Sequence, residues 1–393
     1  MLLLREAEYA FKKLDATHPI VAVVGPRQAG KTTFLKDQMA QPRKTTYTTL
    51  DDISAKALFD ESPEKFAYQH LDKKRTNIID EVQYGKDAGI KLKHWADAGY
   101  KLWISASSQS LLESSVLSFL AGRVGLLTLY GFDLSETLQA KNLKAYTQTQ
   151  LRETVWQHAT YGSYPRAVLT QDPEEKKLIL KNLFTTVLLK DVFASFGIQD
   201  QNTLERLSRY LAANIASELK YDTAAQHLSA SVPTIRKYVD ALEKSYLVKR
   251  CPPFYTNKNL ELVKQPKLYF IDTGMRNAIL DDYPSSLENN GRLYENYLFS
   301  EITKTGAQVQ YWKSKSQAEV DFVIQRHGKP IPIEAKTFAP ATVPKSLSSF
   351  IEKYRPQNAY IAFHQGKEKT MQSHGTKVHV LNTDTFLKRL KTK

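Results

Sequence analysis

Gly25, Gly30, Lys31 and Thr32 stand in the order G-x-x-x-x-G-K-T within V-A-V-V-G-P-R-Q-A-G-K-T-T, residues 21–33. That spacing suits a polyphosphate. Backbone N–H groups close around a β-phosphate only where no side chain obstructs them, so both glycines have a chemical reason. Lys31 reaches the β and γ oxygens, the Thr32 hydroxyl offers a ligand to Mg²⁺, and Thr33 completes the nucleotide-binding stretch. Asn77-Ile78-Ile79-Asp80-Glu81 supplies the second half: Asp80 to hold the metal through water, Glu81 to orient and deprotonate an attacking water. ATP and Mg²⁺ are the expected ligands. Ser105, where Lys101-Leu102-Trp103-Ile104 runs out into Ser105-Ala106-Ser107-Ser108, is placed either to sense a γ-phosphate or to cap a strand.

A second set lies far downstream. Asp321 and Glu334-x-Lys336 are spaced as D-x12-E-x-K, which matches the PD-(D/E)xK nuclease core, where acids converge on a divalent metal at one end of a sheet. Alternation along a strand puts Glu334 and Lys336 on one face. Two hard carboxylates suit Mg²⁺, and a lysine beside them can position or polarise a water. Glu295, near the start of the amphipathic stretch L-Y-E-N-Y-L-F-S-E-I, resembles the first-helix acid of that fold. The alternative is an inactive nuclease-like module that recognises DNA or protein, because a fold does not carry its chemistry with it.

Between them, Tyr221–Leu228 and Val232–Glu243 read as two helices joined by Ser229-Ala230-Ser231. Pro233 fits a first helical turn, and Ile235, Val239 and Leu242 fall on one face. Thr234, Arg236, Lys237 and Tyr238 are left toward solvent. With Leu247–Arg250 and Lys267–Asp272 as a wing, this is a helix-turn-helix by spacing, in which Arg236 and Lys237 would meet DNA phosphates before bases. A packing module without DNA contact has the same spacing.

The elements that must carry these groups follow from hydrophobic patterning. Pro19–Val24 and Asn77–Ile79 are short β-branched or apolar runs that read as buried strands, and Lys101–Ile104 is a third. A helix is expected from Thr32 to Met39. Apolar spacing from Leu151 to about Phe196 is helical and reads as a small lid on the nucleotide. Gln308–Trp312, Ala318–Ile324 and Pro330–Lys336 read as strands around the second carboxylate set. Ala359–Phe363 is a further strand, and Thr385–Leu390 a closing helix before a basic terminus.

Hydrophobic residues are 42% and charged residues 24% of the 393, a balance that buries a core and leaves no long tract to be disordered. Lys plus Arg number 55 against 41 Asp plus Glu, a formal net charge of +14 that favours a polyanionic partner. Cys251 is the single cysteine, which excludes an intrachain disulfide and a cysteine-rich metal site. No run approaches the roughly 18 apolar residues of a membrane span, and a cytoplasmic setting is expected.

Taken together, G-P-R-Q-A-G-K-T-T, I-I-D-E-V-Q, the serine-rich strand end, Leu120-Ala121-Gly122-Arg123 and L-Y-G-F-D-L-S-E resemble the prokaryotic AAA+ superfamily ATPases that carry a C-terminal domain of unknown function 4143. The resemblance runs over most of the chain. It implies an α/β fold: a P-loop AAA+ core with helical lid, a winged-helix middle domain, and an α/β PD-(D/E)xK nuclease-like C-terminal domain. The expected domains are 1–145, 146–265 and 266–393. It implies that Arg123 completes a neighbouring subunit's site in a homo-oligomer such as a hexamer; pairing of Arg123 with a nearby carboxylate is the alternative. Tyr161-Gly162-Ser163-Tyr164-Pro165-Arg166 resembles the family's Gly-Gly-Tyr-Pro lid motif, which would bring Arg166 toward the nucleotide. Family members usually carry Thr-Gly-Ser where this chain has Ser-Ala-Ser.

Three functions fit. The first is an ATP-hydrolysing protein that moves or remodels duplex or branched, Holliday-junction-like DNA. The second is an ATP-regulated, Mg²⁺-dependent DNA endonuclease working through Asp321, Glu334 and Lys336. The third is a nucleotide-gated switch that binds a protein partner.

Overall fold

The computed structural model describes residues 3–41, 44–107, 119–193, 196–255 and 264–391. It divides into two compact units: Met1–Phe132 with Thr186–Ile198 and Lys244–Tyr246, and Asp133–Thr185 with Gln199–Glu243 and Leu247–Lys393. The boundaries expected near 145 and 265 do not coincide with this division.

The first unit is built on strands β1 (Ile20–Val24), β2 (Thr45–Thr49), β3 (Thr76–Asp80), β4 (Lys101–Ala106) and β5 (Val124–Thr128), all parallel in the order β2-β3-β4-β1-β5. The central strand β1 is apolar throughout because both of its faces are covered. Ile20, Ala22 and Val24 enter a core with Phe59, Phe66, Leu92 and Trp95, while Val21 and Val23 enter the opposite one with Phe11, Phe34 and Trp103. The strand β2, Thr-Thr-Tyr-Thr-Thr, escaped the sequence reading because an edge strand of β-branched hydroxyl residues carries no apolar run. Beyond the glycine-rich loop a short α-helix, Lys31–Thr33, continues as a π-helix over Phe34–Met39, where one α-helix was expected.

The second unit opens with the D-L-S-E end of L-Y-G-F-D-L-S-E, Asp133–Glu136, put to structural use. Asp133 caps the helix Leu134–Ala140, accepting from Glu136 N at 2.8 Å, while the Glu136 side chain accepts from Asp133 N at 3.0 Å. Helices Gln148–Tyr161, Pro165–Leu169 and Pro173–Thr186 follow. The residues expected to form a lid thus fall in this unit up to Thr185, and those from Thr186 on, among them the π-helical Val187–Phe193, fall in the first. In Y-G-S-Y-P-R, Gly162 sits at φ +77°, and a Cβ there would lie 2.1 Å from Asp272 Oδ1. Asp272 accepts from Ser163 N and caps the helix Thr273–Leu280 through Met275 N, so the motif is scaffold of this unit. Arg166 is exposed on the helix Pro165–Leu169.

Helices Gln201–Ala213, Tyr221–Leu228 and Val232–Lys244 precede or flank a small antiparallel sheet of β6 (Ser217–Glu218), β7 (Val248–Cys251) and β8 (Lys267–Phe270), ordered β6-β8-β7. Ser229, at φ +53°, ends the first helix of the expected pair, and Ser231 Oγ accepts from Thr234 N at 3.2 Å to start the second. Tyr238 is a correction: it is buried, not solvent-facing. It stands three residues after Ile235, on the same helical face.

The last sheet is ordered β13-β14-β12-β11-β10-β9, with β9 (Gln310–Lys313), β10 (Glu319–Arg326), β11 (Lys329–Phe338), β12 (Asn358–Gln365), β13 (Lys369–Ser373) and β14 (Thr376–Asn382). β11, β12 and β14 run parallel, and the remaining neighbours are antiparallel. Trp312, Val320, Phe350 and Ile361 centre its core.

Candidate nucleotide site and carboxylate cluster

The glycine-rich loop leaves β1 at Gly25, whose φ is +147° and whose Cβ would fall 2.0 Å from Leu129 O, so only glycine fits. Gly30, at φ +92°, caps the start of the helix that carries Lys31, Thr32 and Thr33. Lys31 is buried and donates from Nζ to Gly25 O and Pro26 O, each at 3.0 Å. Burial lowers its pKa, against the charges of Glu81 and Asp80. A cation held by backbone carbonyls alone at the mouth of an N–H-lined loop is poised for an anion.

Asp80, at the end of β3, is nearly saturated by hydroxyl donors. Thr32 Oγ1 donates to Oδ2 at 2.7 Å, Tyr47 OH donates to Oδ2 at 3.0 Å, and Ser105 Oγ donates to Oδ1. Parallel registry explains this convergence: β4 lies between β1 and β3, so Ser105 stands between the loop and the acid. Ser105 is fully buried, and its oxygen also accepts Glu81 N at 3.0 Å. The adjacent Thr32 hydroxyl and Asp80 carboxylate are hard oxygen donors and fit Mg²⁺. Glu81 follows at φ +56°, a left-handed conformation uncommon for glutamate, and Gln83 Nε2 donates both to Glu81 Oε2 and to Ser107 Oγ, the latter at 3.0 Å. Ser108 lies outside the described residues.

Arg27, inside the loop, forks onto Asp191 with Nε–Oδ2 at 2.9 Å and Nη2–Oδ1 at 2.6 Å, and reaches Tyr84 OH at 3.3 Å. Its hydrogen bonds to Asp191 hold the guanidinium well above its ordinary pKa. No spacing rule signals a pair 164 residues apart.

Arg123 lies at the opposite end of its sheet from the loop: its carbonyl accepts Ile20 N, at the start of β1. Its side chain pairs with Asp97 at 2.6 Å on the surface.

In the second unit Asp321 and Glu334 come together on adjacent antiparallel strands, one step beyond the Phe322–Ile333 pair. Ala335 N donates to Asp321 Oδ2 at 2.8 Å, and Ser346 Oγ donates to Glu334 Oε1 at 3.2 Å. Lys336 Nζ stands 2.6 Å from Glu334 Oε2 and 3.9 Å from Asp321 Oδ2. Burial, then the charge of Asp321, pushes Glu334 up to about 8. Glu295 is pushed up to about 7 by the same two causes.

Sequence reading missed the partners of Glu295. Tyr269 OH donates to it at 2.6 Å, and the buried Lys267 bridges Glu295, at 3.1 Å, and Glu319. Glu319 shares a strand face with Asp321 by alternation, a signal that was available. Lys267 and Tyr269 also alternate along β8, but only tertiary structure brings that strand here. Among the described residues, no group of three His, Cys, Asp or Glu is arranged to hold a metal ion.

Arg236 and Lys237 are exposed on the helix Val232–Lys244, with the Arg236 guanidinium 4.2 Å over the Tyr221 ring. Among the described residues, no helix is long and apolar enough to cross a membrane.

Family comparison agrees with these features. Residues 17–138 match the AAA domain, residues 290–384 match the domain of unknown function 4143, and residues 152–286 match the domain of unknown function 8612. The chain is therefore an AAA-type protein that carries a C-terminal domain of unknown function 4143. An uncharacterized protein of Haemophilus influenzae is 26% identical over 257 residues, covering 63% of this chain and 62% of its own length. The chain thus spans less than two thirds of that relative. The uncharacterized protein Rv2008c of Mycobacterium tuberculosis is 26% identical over 360 residues, 88% of this chain and 77% of its own. Among solved structures, the Walker-type ATPase of Pyrococcus abyssi aligns with TM-score 0.48 at 14% identity, over 71% of this chain and 96% of its own. The ADP form of the Aeropyrum pernix ORC2 protein aligns with TM-score 0.35 at 12% identity, over 71% and 95%.

Proposed function

We propose that this protein hydrolyses ATP and uses the turnover to move or remodel duplex or branched DNA. The observation that carries the first half is the convergence of Lys31, Thr32 and Asp80 at the loop, with Glu81 next in the chain. The loop N–H groups and Lys31 bind the phosphates, Thr32 and Asp80 hold Mg²⁺, and Thr33 extends the contact surface. The metal supplies charge neutralisation on the phosphate oxygens. Glu81 takes a proton from the attacking water, the Pγ–O bond to ADP breaks, and orthophosphate leaves. Arg123 would act on a neighbouring copy's nucleotide in a homo-oligomer.

The second half rests on the net charge of +14 and on Arg236 and Lys237, exposed on the second helix of a helix-turn-helix with a strand pair behind it, which we read as a winged helix.

A second reading is favoured by the Asp321–Glu334–Lys336 geometry, which we read as a PD-(D/E)xK-type site. Two carboxyl groups brought together on adjacent strands offer hard oxygen ligands, so Asp321 and Glu334 would hold Mg²⁺ there, and Lys336 would polarise a water for phosphodiester cleavage.

One reaction separates these readings: ATP turnover and DNA integrity followed together, with and without linear and four-way-junction DNA, for wild type, Lys31→Ala and Asp321→Ala. Remodelling predicts turnover lost in Lys31→Ala, kept in Asp321→Ala, and DNA left intact. Mg²⁺-dependent cutting lost in Asp321→Ala favours the endonuclease. Slow turnover that ignores every DNA returns the protein-partner switch.

A further inference from the structure

Ser105 has no hydrogen-bonding capacity left for a γ-phosphate. It is fully buried, its proton goes to Asp80, and its oxygen takes Glu81 N–H. The side chain beside Glu81 that keeps an unused group is Gln83. It sits on the tight turn Val82–Tyr84, which follows the left-handed backbone of Glu81 at the end of β3. Both protons of its amide are engaged, one on Glu81 Oε2 and one on Ser107 Oγ. Its Oε1 is buried and has no partner among the described residues. A buried acceptor left so is destabilising, and a donor arriving with the substrate would recover that cost. The amide assignment is fixed chemically, since the flipped group would turn its oxygen onto the Glu81 carboxylate.

We propose that Gln83 positions the hydrolytic water, a role that rests on the ATP-hydrolysis reading. Nε2, braced by Ser107, holds the Glu81 carboxylate, while Oε1 accepts one hydrogen of the water. The other hydrogen passes to Glu81 as the water oxygen bonds to Pγ and the bond from Pγ to the ADP oxygen breaks. The hydrogen on Oε1 leaves with the orthophosphate. Two acceptors on one water fix its lone pair toward phosphorus and act on the water rather than on ATP, so the effect belongs in kcat.

The test uses the full chain with Gln83→Met, which keeps length and loses both polar ends, and Ser107→Ala, which removes only the brace. Turnover is measured beside the Kd for a fluorescent ATP analogue, with thermal melting to verify folding. Gln83→Met should lower kcat about tenfold or more with Kd within about twofold, and Ser107→Ala should lower it less. Glu81→Gln combined with Gln83→Met should be no slower than Glu81→Gln alone, because both act on one water. Wild-type kcat in Gln83→Met, a loss confined to Kd, or independent losses in the double variant would overturn the assignment. A wild type that binds the analogue and never hydrolyses ATP would instead remove the ATPase reading itself, and this role with it.

Discussion

The two clusters of buried charge are built on opposite principles. At the loop, Lys31 has only backbone carbonyls and Asp80 only hydroxyls, so neither charge is neutralised by a hydrogen-bonded counter-charge. In the second unit each acid already has a lysine beside it: Lys336 on Glu334 and, at 3.9 Å, Asp321, and Lys267 on Glu295 and Glu319. On the proposed ATPase reading, the first site would be completed by a polyanion and a metal. The second is self-neutralised and must give up protons or lysine contacts before it holds a metal. A motif therefore says less about readiness than the partners of its charged atoms do.

The contrast is broken most sharply by paired variants. Glu81→Gln should slow ATP turnover by about 10²–10⁴-fold, while Asp321→Ala leaves it within about twofold. A comparable loss in both, measured by phosphate release, would mean that the clusters act as one site.

Next in size is Asp191→Ala, which leaves the Arg27 guanidinium without its buried partner. About 3 kcal/mol of stability should go, read as a lower urea midpoint. An unchanged midpoint would make the pair incidental.

Arg236→Ala with Lys237→Ala should lower the slope of log affinity for DNA against log salt by about 1.8, near 0.9 per phosphate contact. An unchanged slope would assign that helix to packing.

A pH dependence follows from the second cluster. Glu334 keeps its proton in the folded protein up to about 8, whereas the unfolded chain releases it near the ordinary glutamate value of 4.5. Stability should therefore fall as pH rises from about 4.5 to about 8, and Glu295 adds to the decline up to about 7. Glu334→Gln should flatten the melting temperature against pH across that window. A slope identical to wild type would place the proton elsewhere.

Much of this was legible because it is local. V-A-V-V-G and N-I-I-D-E announce strands that end in chemistry, and E-A-K against the preceding E-V-D sets Glu334 opposite Asp321 by register. Tyr238 was misread although its three-residue offset from Ile235 already placed it on the core face. Arg27–Asp191, Lys267–Glu295 and Tyr47–Asp80 were not legible, since each joins elements far apart in sequence and depends on strand order. The roles of Asp133 and Gly162 were hidden for a different reason. A signature marks residues that matter without saying whether they cap a helix or touch a ligand.

Whether ATP turnover serves DNA is decided by one rate: ATP hydrolysis at low salt, titrated with four-way-junction and linear duplex DNA, against Glu81→Gln as blank. Turnover should rise saturably with DNA, lose that rise as salt is raised, and be absent in Glu81→Gln. A wild-type rate that stays the same at every concentration of either DNA would contradict it.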